Sequence, residues 1–546
     1  MDKSEYYKHS IVYQIYPRSF CDSDGDGIGD LRGIISKLDY LHMLGIGIIW
    51  LSPIYPSADV DFGYDISDYY SINPDFGTME DFENLIEQAR MRNIRIVMDM
   101  VLNHTSSEHK WFIESSNPES KYRDYYIWRK GRNNNKKPPN NWQSMFTGSA
   151  WTYSKETDMY YLHIYTPEQP DLNWKNPEVL KEFEKIIDFW LSKGVYGFRW
   201  DSVNSIYKTS LENGKKSAFS RGYEHYMNSE GCHYILHSLY KDVLSKYQIM
   251  NVGECNLADF NQVKKFTTEE LDMVFTFEHV ANKISRIRPF KVLPFKPENL
   301  KKVVIRWQSN VDWNANYLEN HDQMRSIGKF GNSRKYYKQS AKMLACLVLF
   351  LRGTPFIFQG EEIGMLDYRN ADITKAKDIV PLNMIKLIKK HHLPLFMAKR
   401  MISSFNRDNP RAPFQWDDSV SAGFSSSKDT WLPVNPDYKE INVKSNLRDP
   451  TSILNFYLKA VWLRKNEEAF ILGDIHFIPS DKRVLYFTRS SMGKTFAVIL
   501  NLSGKIIRLK EPHSVNVILS NYNKNDYAVI TELLPYEALV ADLTEK

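Results

Sequence analysis

The chain has 546 residues, 42% hydrophobic and 25% charged, with a formal net charge of +5. This is an ordinary globular composition, long enough for two to four domains or one large barrel with appendages. So weak a charge over this length gives no reason to expect nucleic acid or an anionic membrane as partner.

Cys21, Cys232, Cys255 and Cys346 lie far apart and form no CxxC, which argues against a zinc site and a disulfide framework. Residues 1–8 are polar and lack the apolar run of a signal peptide. The most apolar stretch, 343–351, is too short to span a bilayer. The expectation is a reduced, cytoplasmic monomer without an anchor.

Residues 11–20 (IVYQIYPRSF) read as a strand, followed by an acidic, glycine-bearing loop over 22–30. Residues 31–44 have helical periodicity, stopped by Gly45. The apolar run 46–52 (IGIIWLS) suits a parallel strand buried on both faces. A helix over 79–92 and a strand over 94–102 (IRIVMDMVL) complete a βαβαβ alternation. The pattern breaks over 104–173, which is rich in Asn, Ser, Lys, Pro and aromatics and has one strand-like run at 159–165. That segment reads as a lobe inserted after the third strand.

Alternation resumes with helix 176–192, strand 195–203, helix 231–246, strand 247–254, helix 258–270 and strands 272–277 and 312–318. Helix 336–351 and strand 355–359 follow. Eight strand candidates predict an α/β fold, a (β/α)8 TIM barrel; an open dinucleotide-binding sheet is disfavoured because no G-x-G-x-x-G follows the first strand. A largely polar stretch, 361–450, precedes a closing helix over 451–465. Runs at 484–488, 495–500, 514–519 and 528–533 predict a C-terminal antiparallel β domain. The expected layout is barrel 1–103, inserted lobe 104–173, barrel 174–469 and β domain 470–546.

Arg199 and Asp201 stand two apart at the end of the fourth strand and share one face. Alone they make an ordinary ion pair. Other strand ends add Asp99 with His104, then Glu254, then His321 with Asp322, and a barrel gathers its strand ends on one face. Clustered carboxylates repel and desolvate one another, so they are poor folding devices. Three of them, Asp201, Glu254 and Asp322, suit cleavage of a glycosidic bond. One attacks the anomeric carbon, a second protonates the leaving oxygen and then activates water, and a third holds sugar hydroxyls. Arg199 would keep Asp201 ionised, and His104 and His321 would donate to hydroxyls. A metal hydrolase is the competing class, but no H-x-E, HExxH or Cys/His spacing is present.

The loop DSDGDGIGD (22–30) has carboxylates at positions 1, 3, 5 and 9, like the start of an EF-hand, but its twelfth position is Gly33 instead of Glu. Hard oxygen ligands on a tight loop suit Ca2+ or Mg2+ in a structural role.

DMVLNH (99–104), GFRWD (197–201), GE (253–254) and ENHD (319–322) resemble the four ordered signature regions of the α-amylase superfamily of retaining glycoside hydrolases. IVYQIYPRSFCDSDGDGIGDLRGI (11–34), IWLSPIYPS (49–57), GYDISDY (63–69), QPDLNW (169–174), FIFQGEEIGM (356–365) and RDNPRAPFQWDD (407–418) resemble its oligo-1,6-glucosidase and α-glucosidase branch. The resemblance implies a (β/α)8 barrel with a domain inserted after strand three and a C-terminal β domain. It implies exo-acting release of glucose from short α-glucosides, with no organic cofactor. By position it implies Asp201 as nucleophile, Glu254 as acid/base and Asp322 as transition-state stabiliser. Asp61, Tyr64, His104, Arg199, His321 and Arg407 would line the glucose subsite, bordered by Phe146 and Gln169. Asp22, Asp24, Asp26, Asp30 and the Ile28 carbonyl fall where many relatives bind Ca2+.

Ser202, after the nucleophile, departs from the Val often found in α-1,6-preferring relatives; α-1,4-preferring ones carry a small residue there. Cys255, beside the acid, offers a place where oxidation would inactivate. A transglycosylase or sucrose isomerase and a trehalose-6-phosphate hydrolase are the alternatives. The Arg/Asp-rich acceptor loop of the isomerases, often RLDRD, is missing from the sequence near 280–330, and QPD at 169–171 fits the phosphate-sugar hydrolases less well.

Overall fold

The apolar runs become parallel strands because each is buried on both sides, with helices outside and packed side chains within. A computed structural model describes residues 5–216, 221–282, 290–368, 372–524 and 526–544. Part of the stretch searched for an acceptor loop, 283–289, therefore lies outside the described residues.

In chain order the barrel opens with β1 (Val12–Ile15), β2 (Ile48–Leu51) and β3 (Arg95–Val101). The inserted segment carries β4 (Trp128–Arg129), β5 (Trp151–Ser154) and β6 (Met159–Leu162). The barrel continues with β7 (Gly197–Asp201), β8 (Met250–Glu254), β9 (Met273–Phe275), β10 (Ala315–Asn316) and β11 (Thr354–Phe358). The C-terminal part holds β12 (Asp474–Phe477), β13 (Val484–Ser491), β14 (Lys494–Asn501), β15 (Ile507–Ser520), β16 (Asp526–Leu533) and β17 (Ala538–Asp542).

The eight barrel strands run β10-β11-β1-β2-β3-β7-β8-β9. The two ends meet through Tyr317, whose hydroxyl donates to the Thr276 carbonyl at 2.7 Å and whose ring meets Phe275 edge-on at 5.1 Å. This is the predicted TIM barrel. Its interior is filled by aromatic side chains, with Phe275 against Trp50 at 5.4 Å and against Phe356 at 4.7 Å.

Register then decides what meets at the rim. Asp99 pairs with Arg199, Val101 with Asp201, and Glu254 with Phe275. Gly197 makes this register feasible, since a Cβ there would run into the Met250 carbonyl of the neighbouring strand.

Some expected elements differ. The first strand ends at Ile15, because Pro17 starts a 3₁₀ turn, Pro17–Ser19. The helix expected over 31–44 is two, Leu31–Ser36 and Leu38–Met43, broken at Lys37. The polar stretch 361–450 holds a helical hairpin, Ile379–Lys390 and Leu395–Phe405, with its own small core of Ile373, Ile385, Ile388, Ala398 and Ile402. The inserted segment forms a three-stranded sheet, β4-β6-β5, and the C-terminal sheet has six strands where four runs were read. Among the described residues no helix is long and apolar enough to cross a membrane.

Candidate active site

Arg199 leaves β7 into the barrel mouth, 2% exposed, and binds three carboxylates. Its Nη1 donates to Asp99 Oδ1 and to Asp201 Oδ1, both at 2.6 Å, and its Nη2 donates to Glu254 Oε2. Asp99 is held from behind by Trp50 Nε1 at 2.9 Å. Glu254 also accepts from the Ser202 backbone N–H at 3.3 Å and from Asn256 Nδ2 at 3.2 Å. Ser202 points its N–H there because it sits in the left-handed region, at φ 41 and ψ 38. One buried guanidinium thus ties β3, β7 and β8 together at their C-terminal ends.

Burial pushes the Asp201 carboxyl well up, Arg199 opposes this, and Glu254 and Asp99 reinforce it. Burial also lifts Asp99 to about 6 against Arg199 and Trp50. Crowded carboxylates of this kind titrate as a unit and share protons.

Asp322 is the opposite case. Burial would raise it, but His321, Arg407, Arg411 and Arg199 outweigh burial and hold it far below the usual carboxylate range. The guanidiniums account for this, since burial keeps His321 itself neutral with a value near 3. Arg411 Nη2 reaches Asp322 Oδ1 at 2.7 Å and Arg407 Nη1 reaches it at 3.4 Å.

Arg407 also binds Asp61 Oδ1 at 2.7 Å and Asp378 Oδ1 at 2.7 Å, with the Phe146 ring 5.2 Å from its guanidinium carbon. Gln169 Nε2 donates to Asp61 Oδ2 at 3.3 Å and lies 3.0 Å from His104 Nε2.

These groups surround a cavity of about 220 Å³, lined by Asp61, Tyr64, His104, Phe146, Asp201, Glu254, Asp322 and Arg407 among others. It is smaller than the ~300–1,000 Å³ of pockets for drug-sized ligands and suits a single sugar ring. A larger cavity of about 650 Å³ beside it, walled by Phe295, Lys329 and Phe396, holds none of the three converging carboxylates.

Three residues expected to line the subsite stand behind that wall. Gln169 supports Asp61, Arg199 lies beneath the carboxylates, and His321 is fully buried, with Nδ1 at 2.7 Å from Gln14 Nε2 and Nε2 at 2.8 Å from Tyr64 OH. Tyr165, Asn256, Phe277 and Gln323 line the cavity without having stood out in the sequence. Asp378, which fixes Arg407, is an unremarkable aspartate at the start of the hairpin in a polar stretch. Cys255 is buried, and burial together with the Glu254 charge pushes its thiol well up, so it is not a reactive thiolate.

In the 22–30 loop, Asp22, Asp24 and Asp30 each offer a carboxylate oxygen within 4.8 Å of the others. Asp22 accepts backbone N–H groups of Asp24, Gly25 and Gly27, and Asp30 caps the helix Leu31–Ser36 by accepting from Gly33 N. Asp26 stands outside the trio and accepts from Ile28 N at 2.7 Å. The hard-oxygen donor set fits a divalent cation of the calcium type.

A family profile described as alpha amylase, catalytic domain, matches residues 14–473. An oligo-1,6-glucosidase of Parageobacillus thermoglucosidasius is 44% identical over 98% of this chain and 98% of its own. Among solved structures, the trehalose-6-phosphate hydrolase of Bacillus licheniformis superposes with a TM-score of 0.91 at 39% identity, covering 99% of this chain and 100% of that one. Isomaltulose synthase from Klebsiella sp. LX3 gives a TM-score of 0.93 at 35% identity, over 98% of this chain and 99% of that one.

Proposed function

The chain belongs to the α-amylase family of glycoside hydrolases, and from that premise we propose an exo-acting, retaining α-glucosidase. It releases glucose from the non-reducing end of short α-glucosides, isomalto-oligosaccharides first, through a covalent glucosyl-enzyme. The observation that carries this reading is the pair Asp201 and Glu254 on one guanidinium, beside a cavity sized for one ring. Sharing one guanidinium favours the close spacing of a retaining pair, ~5–5.5 Å, over the ~6.5–9.5 Å that an inverting pair needs for a water.

Asp201 attacks the anomeric carbon. Glu254 gives a proton to the leaving oxygen, then takes one from water. Asp322, kept ionised by Arg407 and Arg411, receives sugar hydroxyls. Arg407, joining Asp61 to Asp322 beneath Phe146, closes the far end of the glucose subsite, which supports an exo mode.

The test is a panel of isomaltose, panose, maltose, sucrose, trehalose 6-phosphate and starch, with glucose distinguished from transfer products. Glucose from isomaltose and panose is expected. Rapid starch cleavage refutes the exo reading. Sucrose converted to an isomer, or trehalose 6-phosphate cleaved fastest, replaces the substrate assignment with an alternative suggested by the structural neighbours.

The 22–30 loop is proposed to hold a structural Ca2+ through Asp22, Asp24 and Asp30, completed by Asp26 and the Ile28 carbonyl. The ion would supply charge neutralisation to a loop dense in carboxylates. Four buried, unpaired cysteines support a reducing, cytoplasmic setting, and a monomer is the proposed state.

A further inference from the structure

A buried lysine stands behind His104, two steps from the cavity, and the chemistry above does not use it. Lys208 is 4% exposed. Its ammonium lies 2.8 Å from Asp171 Oδ2 and 2.6 Å from Asn103 Oδ1, with the Ser205 and Ile206 carbonyls each at 3.3 Å. Asp171 belongs to the inserted segment, Asn103 follows β3 and Lys208 follows β7, so the three side chains join three parts of the molecule. Asn103 and Asp171 are fully buried.

The donor inventory makes this arrangement directional. An ammonium only donates, so the Asn103 atom facing it is the oxygen. That choice removes the usual ambiguity of an amide flip. The Asn103 nitrogen then faces the other way, where it donates to Asp171 Oδ1 at 2.9 Å and meets His104 Nδ1 at 3.2 Å. An amide nitrogen has no lone pair to give, so His104 Nδ1 accepts and the imidazole proton resides on Nε2. Nε2 in turn lies 3.1 Å from the Tyr64 carbonyl, which needs a donor.

Gln169 makes the one contact that opposes this assignment. Its Oε1 accepts from Thr166 N and Thr166 Oγ1, both at 3.2 Å, which turns its nitrogen towards Asp61 and His104. That nitrogen lies 3.0 Å from His104 Nε2 and would suit an unprotonated one, but the Tyr64 carbonyl accepts only from a protonated Nε2 and the Asn103 donor occupies Nδ1, so two contacts against one set the Nε2–H form. His104 lines the cavity as a neutral ring with both nitrogens engaged, Nε2–H on the Tyr64 carbonyl and Nδ1 on Asn103.

We propose that Lys208 is a positioning residue: through Asn103 it locks His104 in the Nε2–H form tied to the Tyr64 carbonyl, which fixes the ring at the wall of the glucosyl cavity, and through Asp171 it holds the Gln169 loop against the barrel. The proposal rests on the glucoside reading of the cavity, but the tautomer it assigns can be measured without turnover.

The experiment uses the full chain labelled with ¹⁵N at histidine, with His104 assigned by the signal lost in H104N. The wild type is expected to show His104 as the Nε2–H tautomer at neutral pH. The test variant is K208M/D171N, because removing Lys208 alone strands the Asp171 carboxylate in the interior. In the folded double variant, checked by circular dichroism, the Nδ1–H form should appear. The kcat/KM for p-nitrophenyl α-glucoside should fall about 10- to 100-fold, the cost of a group displaced by about an ångström. K208R, still a pure donor, should restore the Nε2–H signal. An Nδ1–H tautomer in the wild type overturns the proposal whatever the enzyme's substrate proves to be. So does a folded double variant that keeps both the Nε2–H signal and the wild-type kcat/KM. A wild type with the expected tautomer but no action on any α-glucoside refutes the functional reading alone.

Discussion

Asp322→Asn separates the third carboxylate from the other two. Asp322 Oδ1 is already shared by Arg411 at 2.7 Å and Arg407 at 3.4 Å, and its backbone N–H is tied to Asn320 Oδ1 at 2.9 Å. The side chain is thus fixed, and Oδ2, which no guanidinium among the described residues binds and which lies 3.3 Å from His321 Nε2, is the atom assigned to sugar hydroxyls. One or two charge-assisted hydrogen bonds there are worth about 1.5–3 kcal/mol each. An amide keeps the shape but not the charge, so the forfeited transition-state energy is about 3–6 kcal/mol for two bonds. At 1.4 kcal/mol per decade this is a loss of roughly 10²–10⁴ in kcat/KM. The loss should fall mainly on kcat, because the bonds tighten as the ring distorts. Asp322 is held ionised by its cations well below neutral pH, so its removal should leave the pH limbs of activity where they are. The assay is isomaltose hydrolysis read as glucose across pH 5–8. Retention of more than about a tenth of wild-type kcat/KM, or a loss confined to KM, refutes the assigned role.

Asp201→Ala should abolish turnover on every substrate and remove the mass increase that a fluorinated glucosyl donor leaves on the wild-type protein; an adduct formed without Asp201 rules it out as nucleophile. Removing divalent cations with EDTA should lower the melting temperature by a few degrees, restored by Ca2+, as expected for about 2.7 kcal/mol of linkage at a hundredfold excess over Kd; a melting temperature indifferent to both treatments leaves the 22–30 loop without its ion. Burial raises Glu362 from 4.5 to about 7. The fold therefore favours its neutral form, a stabilising share that is complete below about pH 4.5 and lost as pH rises through about 7, at most about 3 kcal/mol. Glu362→Gln should flatten the decline of urea stability between pH 5 and 8, and an unchanged slope would assign that decline to other groups.

The barrel was legible because its strands are short apolar runs between amphipathic helices, a pattern set by burial alone. The converging carboxylates were legible because a barrel sends every strand end to one rim, so Asp201, Glu254 and Asp322 could be grouped from the sequence. What escaped lies off the strands. Asp378 starts a hairpin whose helices are masked by the polar composition around them, and its tie to Arg407 is a tertiary contact with no spacing to announce it. Tyr165, Asn256, Phe277 and Gln323 reach the cavity from loops, where side-chain direction follows no period. His321 was expected to face the sugar; Gln14 and Tyr64 engage its two nitrogens instead, and the Tyr64 hydroxyl, which also meets Asp99 Oδ2 at 3.2 Å, is what stands at the wall.

The charge balance of the site explains why such crowding persists. Asp99, Asp201 and Glu254 share Arg199, while Asp61, Asp322 and Asp378 share Arg407 and Arg411. Six carboxylates therefore face three guanidiniums. Even with one of the six protonated, the cavity is short of positive charge, and the Glu254 and Asp99 charges add to the rise that burial imposes on Asp201. A neutral sugar does little to relieve it. Under the proposed assignment, an oxocarbenium-like transition state would bring positive charge to the anomeric carbon beside Asp201, so the electrostatic gain would arrive only as the bond breaks. Binding that improves in the transition state and not before is what accelerates the chemical step. The groups packed around the carboxylates serve that end by keeping them from relaxing apart. The αL turn at Ser202 aims a backbone N–H at Glu254, and Trp50 pins Asp99 under Arg199.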